Sequence, residues 1–172
     1  RSGTNAIKAA TYYNLTAANV SVKRLTGATT VLGDLSIIDA ASFDLDGNLL
    51  SLHGDVINNS TSTGNTLDDT GAGTLSMVGS ASQTIGGTTA GSYRLRNMTI
   101  NKSVGDVVLN DPLEVGGTLT MTSGKIITDA TNLLTMWLNA NFAGGNPTSF
   151  VDGPVEKRTN NADFTYAIGK GT

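Results

Sequence analysis

The sequence predicts an all-β protein coiled as a parallel β-helix (β-solenoid), with a β-sandwich as the alternative. Three features carry that expectation. Apolar residues recur at every second position over short stretches, Gly, Asn and Asp interrupt those stretches at close intervals, and one strand phrase returns along the chain. A period of two buries one side of a strand and leaves the other polar. Scarce aromatics and an outer surface rich in Thr, Ser and Asn suit the narrow lumen of a solenoid better than the core between two packed sheets.

Taken in order, the opening stretch Ala6 to Asn19 comes nearest to a helical pattern, but it lacks caps and reads as turn plus strand. Val31, Gly33, Leu35 and Ile37 then alternate inward. So do Leu113, Val115, Gly117, Leu119 and Met121, with Glu114, Gly116, Thr118 and Thr120 facing the other way. Thr on an outward face suits extended backbone because of its β-branch. Turns are expected at Leu45–Asn48, Asn58–Asn65, Ile85–Gly87 and Thr122–Lys125, where Gly, Asn and Asp tolerate positive φ.

Self-similarity sets the organisation. Gly33 to Leu52 aligns with Gly117 to Met136 at an offset of 84 residues without a gap. Leu35 then falls on Leu119, Phe43 on Ile127, and Asn48-Leu49-Leu50 on Asn132-Leu133-Leu134. Upstream, the Asn-Leu-Thr at Asn14 answers the Asn-Met-Thr at Asn97, one residue out of step, and such matched Asn residues are expected to stack in ladders. The expected division is solenoid repeats over 1–149 and a closing or capping segment over 150–172. Within the solenoid, related superunits at about 12–59 and 95–140 are joined by 60–94. At roughly 22 residues per coil and about 4.8 Å between strands, some seven or eight coils make a rod about 35 Å long.

Composition excludes several classes. Of the 172 residues, 15% are charged and 5% aromatic, with a net charge of −3, 21 Gly and no Cys. The acidic balance argues against nucleic acid. No apolar run approaches the roughly 20 residues of a membrane-spanning helix. Zinc–thiolate sites and disulfide scaffolds need Cys. The 38% apolar content is too high for a disordered tail. The absence of Cys together with only two Glu points to a bacterial exterior. The opening residues show no signal peptide, and both ends read as cuts through a longer protein or as a processed form.

Candidate sites are few. Trp137, with Tyr12 and Tyr13, is the best hint of a ligand site, because glycans stack on exposed aromatic rings. Trp137 is expected to face outward while Leu134, Met136 and Leu138 face in. Asp44, Asp46 and Asn48 have the spacing that opens an oxygen-rich calcium loop, but position 6 of that loop requires Gly and here is Leu49. Calcium therefore stays a minor possibility and no other cofactor is expected. Carboxylate pairs for a glycosidase, which sit about 5 to 9.5 Å apart, are offered by Asp44/Asp46, Asp68/Asp69 and Asp106/Asp111. No Ser/His/Asp phrase surrounds His53, the only imidazole, so no catalytic residue is expected. Thr118, Thr120 and Thr122 form a row of the kind that orders water on flat solenoids. The 84-residue alignment sets Asp34, Ser36 and Ile38 against them, which breaks the rank.

The order of phrases carries a resemblance. The stretch 73–87, followed by YRLRNMTINKS, LEVGGTLTMTSGKI, NLLTMWLNA, SFVDGPVEK and FTYAIGK, resembles the repeat modules of very large secreted and surface proteins of the Bacteroidota, many exported by type IX secretion. The match covers most of Tyr12 to Lys170 and departs where Ala167 replaces the usual Pro. The resemblance implies a parallel β-helical fold, an extracellular or cell-surface setting, and a structural, stalk-like or adhesive role without catalytic residues. Expected partners are neighbouring modules or further copies of the chain, with surface glycans as the other option.

Overall fold

The computed structural model describes residues 5–68, 71–88, 92–159 and 163–171. Among them every regular element is a strand, and the strands wind as a β-solenoid of about seven turns. The first coil comprises β1 (Ala6–Ile7), β2 (Thr11–Tyr12) and β3 (Leu15–Ala17), so the opening stretch is three short strands. The next coils are β4 (Val22–Leu25), β5 (Thr29–Val31), β6 (Leu35–Ile37), then β7 (Ser42–Asp44), β8 (Leu49–Leu52), β9 (Val56–Asn58). They continue as β10 (Asn65–Asp68), β11 (Thr74–Gly79), β12 (Gln83–Gly86), then β13 (Ser92–Leu95), β14 (Asn97–Lys102), β15 (Val107–Leu109). The last regular coils are β16 (Leu113–Val115), β17 (Thr118–Ser123), β18 (Ile126–Ile127), and β19 (Leu134–Met136), β20 (Asn141–Gly144), β21 (Val151–Asp152). The chain closes with β22 (Val155–Lys157) and β23 (Ile168–Gly169).

Up to β22 every third strand joins the same sheet, β23 then pairs with β21, and all the named pairings are parallel. Face A runs from β1 to β22 and face C from β3 to β23, each of eight strands; face B runs from β2 to β20 with seven. Eight strands at about 4.8 Å span about 34 Å, the length expected from the sequence. Inward side chains stack in columns: Phe43, Leu67, Tyr93, Leu113 and Leu134 on face A; Leu50, Leu75, Met98 and Leu119 on face B. All nine are at most 1% exposed.

The expected alternation over residues 113–121 holds, but it bends. Leu113 and Val115 belong to face A, Leu119 and Met121 to face B, and the corner falls at Gly116-Gly117. The expected turns at 45–48 and after Thr122 are present, with Asp46 at φ 50°, Gly47 at φ 80° and Gly124 at φ 81°. At the corner between faces B and C a Cβ on Gly54 would collide with the Gly33 carbonyl of the preceding coil, so only Gly fits.

The 84-residue similarity has a different meaning from the one expected. Leu35 lies on face C and its match Leu119 on face B; Phe43 lies on face A and Ile127 on face C. The offset therefore relates strand phrases, not positions in the coil. Register partners lie 18 residues apart at the first step (Ala6 with Arg24) and 29 at the longest (Val56 with Ile85). Asn14 and Asn97 accordingly stand at different corners. Asn14 instead heads a ladder of corner acceptors. Asp34 N–H donates to Asn14 Oδ1 (2.8 Å), Asp55 N–H to Asp34 Oδ1 (2.8 Å) and Thr84 N–H to Asp55 Oδ1 (2.7 Å). Lys125 N–H donates to Asp106 Oδ1 in the same way (2.9 Å). Each bond satisfies an amide at a corner or within two residues of one.

Polar side chains enter the interior in pairs. Tyr93, 1% exposed, donates its hydroxyl to Asp111 Oδ2 at 3.0 Å. Lys102 donates to Val78 O and Gln83 Oε1, and Gln83 donates to the carbonyls of Leu52 and Gly54. Burial pulls Lys102 below its ordinary range, opposed by the carboxylates of Asp55 and Asp106.

Leu119→Ala should lower stability by about 2–5 kcal/mol, whereas its outward neighbour Thr120→Ala should change it by less than about 1 kcal/mol. Urea unfolding of the two variants measures the difference, and equal losses would refute the inward assignment. For Tyr93, burial first and then the Asp111 charge push its pKa up. An unfolded Tyr loses its proton near pH 10. The folded state holds on to it, so this stability is complete below about pH 10 and falls as pH rises beyond. Tyr93→Phe should flatten that slope in pH-dependent melting and cost about 1.5–3 kcal/mol at neutral pH.

Candidate functional site

The densest cluster of chemically active side chains lies on the outer side of face A at its C-terminal half. Register places Arg94 beside Glu114, Glu114 beside Thr135, and Thr135 beside Glu156. The side chains follow that order. Arg94 Nε meets Glu114 Oε2 at 3.1 Å, and Glu114 Oε1 also receives Arg158 Nη2 at 3.4 Å. Arg158 Nε reaches Glu156 Oε1 at 3.3 Å. Thr135, nearly buried, donates its hydroxyl to Glu156 Oε2 at 3.4 Å.

Trp137 follows β19 and does face outward, as expected. Its ring is not a bare platform, however. The Arg94 guanidinium lies 4.3 Å from the ring centroid and that of Arg158 4.9 Å, the arrangement of a cation–π contact. Its Nε1 is buried without a hydrogen-bond partner. Beside it opens a cleft of about 500 Å³ bordered by Gly71, Ala72, Arg94, Arg96, Gly116, Trp137 and Asn139. Arg96, exposed, reaches the Gly116 carbonyl at 3.4 Å. Leu138, expected to point inward, is 48% exposed. The alternation stops at Met136 because the chain turns there, with Ala140 N–H donating to Trp137 O at 2.9 Å.

The corner after Trp137 is held by Lys157. Its Nζ donates to the carbonyls of Trp137, Leu138 and Ala140, and lies 4.6 Å from the Phe164 ring centroid. Loss of hydration lowers its pKa. Phe164 packs against Phe142 (5.8 Å between centroids) and Tyr166 (4.6 Å). These rings cover the end of face B, which among the described residues has no strand between β22 and β23.

The other expected site residues lie elsewhere. Tyr12 and Tyr13 belong to the first coil and Trp137 to the seventh, about 29 Å away at the spacing of successive coils. The structure does not bring the three together. Tyr12 donates its hydroxyl to Lys8 O at 2.9 Å, and Tyr13 is 77% exposed. Asp44 is buried, ion-paired to Arg24 at 3.2 Å, and accepts the Asp46 N–H at 2.9 Å. Asn48 turns its Nδ2, a donor, toward the carbonyls of Leu25, Leu45 and Asp46. This trio is a clamped turn, and cations are bound by oxygens rather than by amide donors. Asp106 and Asp111 stand at opposite ends of β15, at different corners. Asp69 lies outside the described residues, as does the side chain of Asp68. His53 is exposed at the rim of face B.

Trp137 was legible in the sequence as an outward aromatic. Its arginines were not, because Arg94 sits two coils before it and Arg158 one coil after. No protein-family model matches the chain, and no match is found among curated proteins or among solved structures.

Trp137 is the only Trp, so its fluorescence reports this cluster alone. Arg94→Ala and Arg158→Ala should each shift its emission to the red and raise its quenching by acrylamide, at a stability cost of about 0.5–1 kcal/mol each. Unchanged quenching in both variants would refute the stacked arrangement.

Proposed function

We propose that the chain is a non-enzymatic structural and adhesive segment of a secreted or cell-surface bacterial protein, acting as a stiff spacer or filament unit. One observation carries the reading: axial backbone ladders join successive coils on all three faces. A body cross-linked in that way resists bending, because bending would stretch ladder bonds on its convex side. The resemblance of the ordered phrases to surface-protein repeat modules supports the extracellular setting. The side chains reinforce a spacer role, since the largest charged cluster is spent on internal ion pairs. Neighbouring modules or further copies are the partners that fit, since among the described residues β1, β2 and β3 present unpaired edges on one side of the stack, and β22 and β23 on the other. A carbohydrate-binding module centred on Trp137 is the alternative; it has the neighbouring cleft in its favour and the two guanidinium groups over the ring against it.

The test is an immunoblot of source cells with antibody against this chain, combined with protease treatment of intact cells. A polypeptide of several hundred kDa that protease removes from the surface supports the proposal. A protease-protected cytosolic species would overturn it.

A further inference from the structure

The outer side of face B carries a hydroxyl column that the spacer role does not use. Register pairs Thr11 with Thr30, Thr30 with Ser51, Ser51 with Ser76, Ser76 with Thr99 and Thr99 with Thr120. The rank that the 84-residue alignment appeared to break is therefore continuous through six coils. That alignment set Thr120 against Ser36 of face C, whereas its true neighbours come from coils on its own face. Successive hydroxyls stand about 4.8 Å apart along the axis. A second polar column lies two residues earlier, about 6.7 Å to the side. It runs through Thr74, Asn97, Thr118 and Asn141, with Thr118 N–H donating to Asn97 Oδ1 at 3.0 Å.

Two observations point to an external partner. Among the described residues, none of the six hydroxyls has a hydrogen-bond partner in the protein. Ser76 makes the point most sharply. It is only 9% exposed, and it points outward between the inward Leu75 and Met77. A hydroxyl so shielded still has one donor and two acceptor sites to satisfy, and the open direction is away from the sheet. The second observation is electrical: the outward positions of β5, β8, β11, β14, β17 and β20 hold no Asp, Glu, Lys or Arg. A charged side chain would impose its own hydration shell on the water above it; this face imposes none.

We propose that face B binds an ordered water lattice, the surface of ice, through its hydroxyl columns. The rigid ladder fixes the hydroxyl spacing in both directions, so waters bonded to one column are in step with those on the next. A crystalline polysaccharide is the less suited occupant. Sugar faces are gripped by stacked aromatic rings, and neither hydroxyl column contains one.

The test measures ice-grain growth and crystal shape with the full chain in dilute solution. The wild type should arrest recrystallisation and facet growing crystals. Thr99→Lys should abolish both effects at an unchanged melting temperature, and Ser51→Lys, in a different coil, serves if that variant does not fold. Thr16→Lys, on the outward side of face C, should retain both. Unimpeded ice growth with the wild type would overturn the proposal, as would full activity in both face B variants. Sedimentation with microcrystalline cellulose or chitin, without any effect on ice, would overturn it in favour of a polysaccharide surface.

Discussion

The structure depends on backbone hydrogen bonding between one coil and the next. Strands this short, many of two or three residues, have no stability alone; they exist because the coils before and after supply their ladder partners. The controlling constraint is phase, since a strand must begin at the same place on each turn. Coils whose register partners are 18 and 29 residues apart satisfy it equally, because surplus residues leave at the corners. Corners are also where the ladder loses partners, and there side chains replace them. Asn14, Asp34, Asp55 and Asp106 accept amide protons from the following coil. Lys157 gathers three carbonyls at another corner.

The same constraint explains how much the sequence could tell. Period-two alternation and Gly-rich turns were enough for the fold class, the number of coils and the inward identity of Leu35, Leu119 and Met121. The face to which each strand belongs was not legible. All three faces ask for the same local phrase, a small corner residue followed by alternating apolar positions. Unequal coil lengths then let a gap-free alignment match strands of different faces, as it did for Leu35 and Leu119. Everything built on lateral neighbours was hidden with it, including the Thr99–Thr120 contact and the arginines over Trp137.

Buried polar groups follow one logic throughout. Tyr93 with Asp111, and Lys102 with Gln83, lie where the lumen meets a corner, and each donor finds an acceptor from another coil. An unpaired group there would cost about 1–3 kcal/mol, comparable with a whole buried aliphatic side chain. Trp137 Nε1 is the exception among the described residues, and its ring is held by arginine contacts instead. These cross-coil pairs add specificity to a ladder that would otherwise accept several registers, because a slip of one residue would separate every pair at once.

Stacking coils also constrains what the surface can carry. An outward residue faces its counterparts about 4.8 Å above and below. Two like charges at that distance repel by about 3.5 kcal/mol at an effective dielectric of about 20, so a charged column must mix its signs. Face A does so: Arg24 stands beside Asp44, and Arg94 beside Glu114. Thr135 then separates Glu114 from Glu156. Both pairs of opposite neighbours close as ion pairs, and these charges are consumed in their own pairing. Neutral hydroxyls carry no such restriction and can repeat without interruption, as they do from Thr11 to Thr120 on face B. In a solenoid, then, the charged face pairs with itself, and the uncharged face is left free to meet a periodic surface.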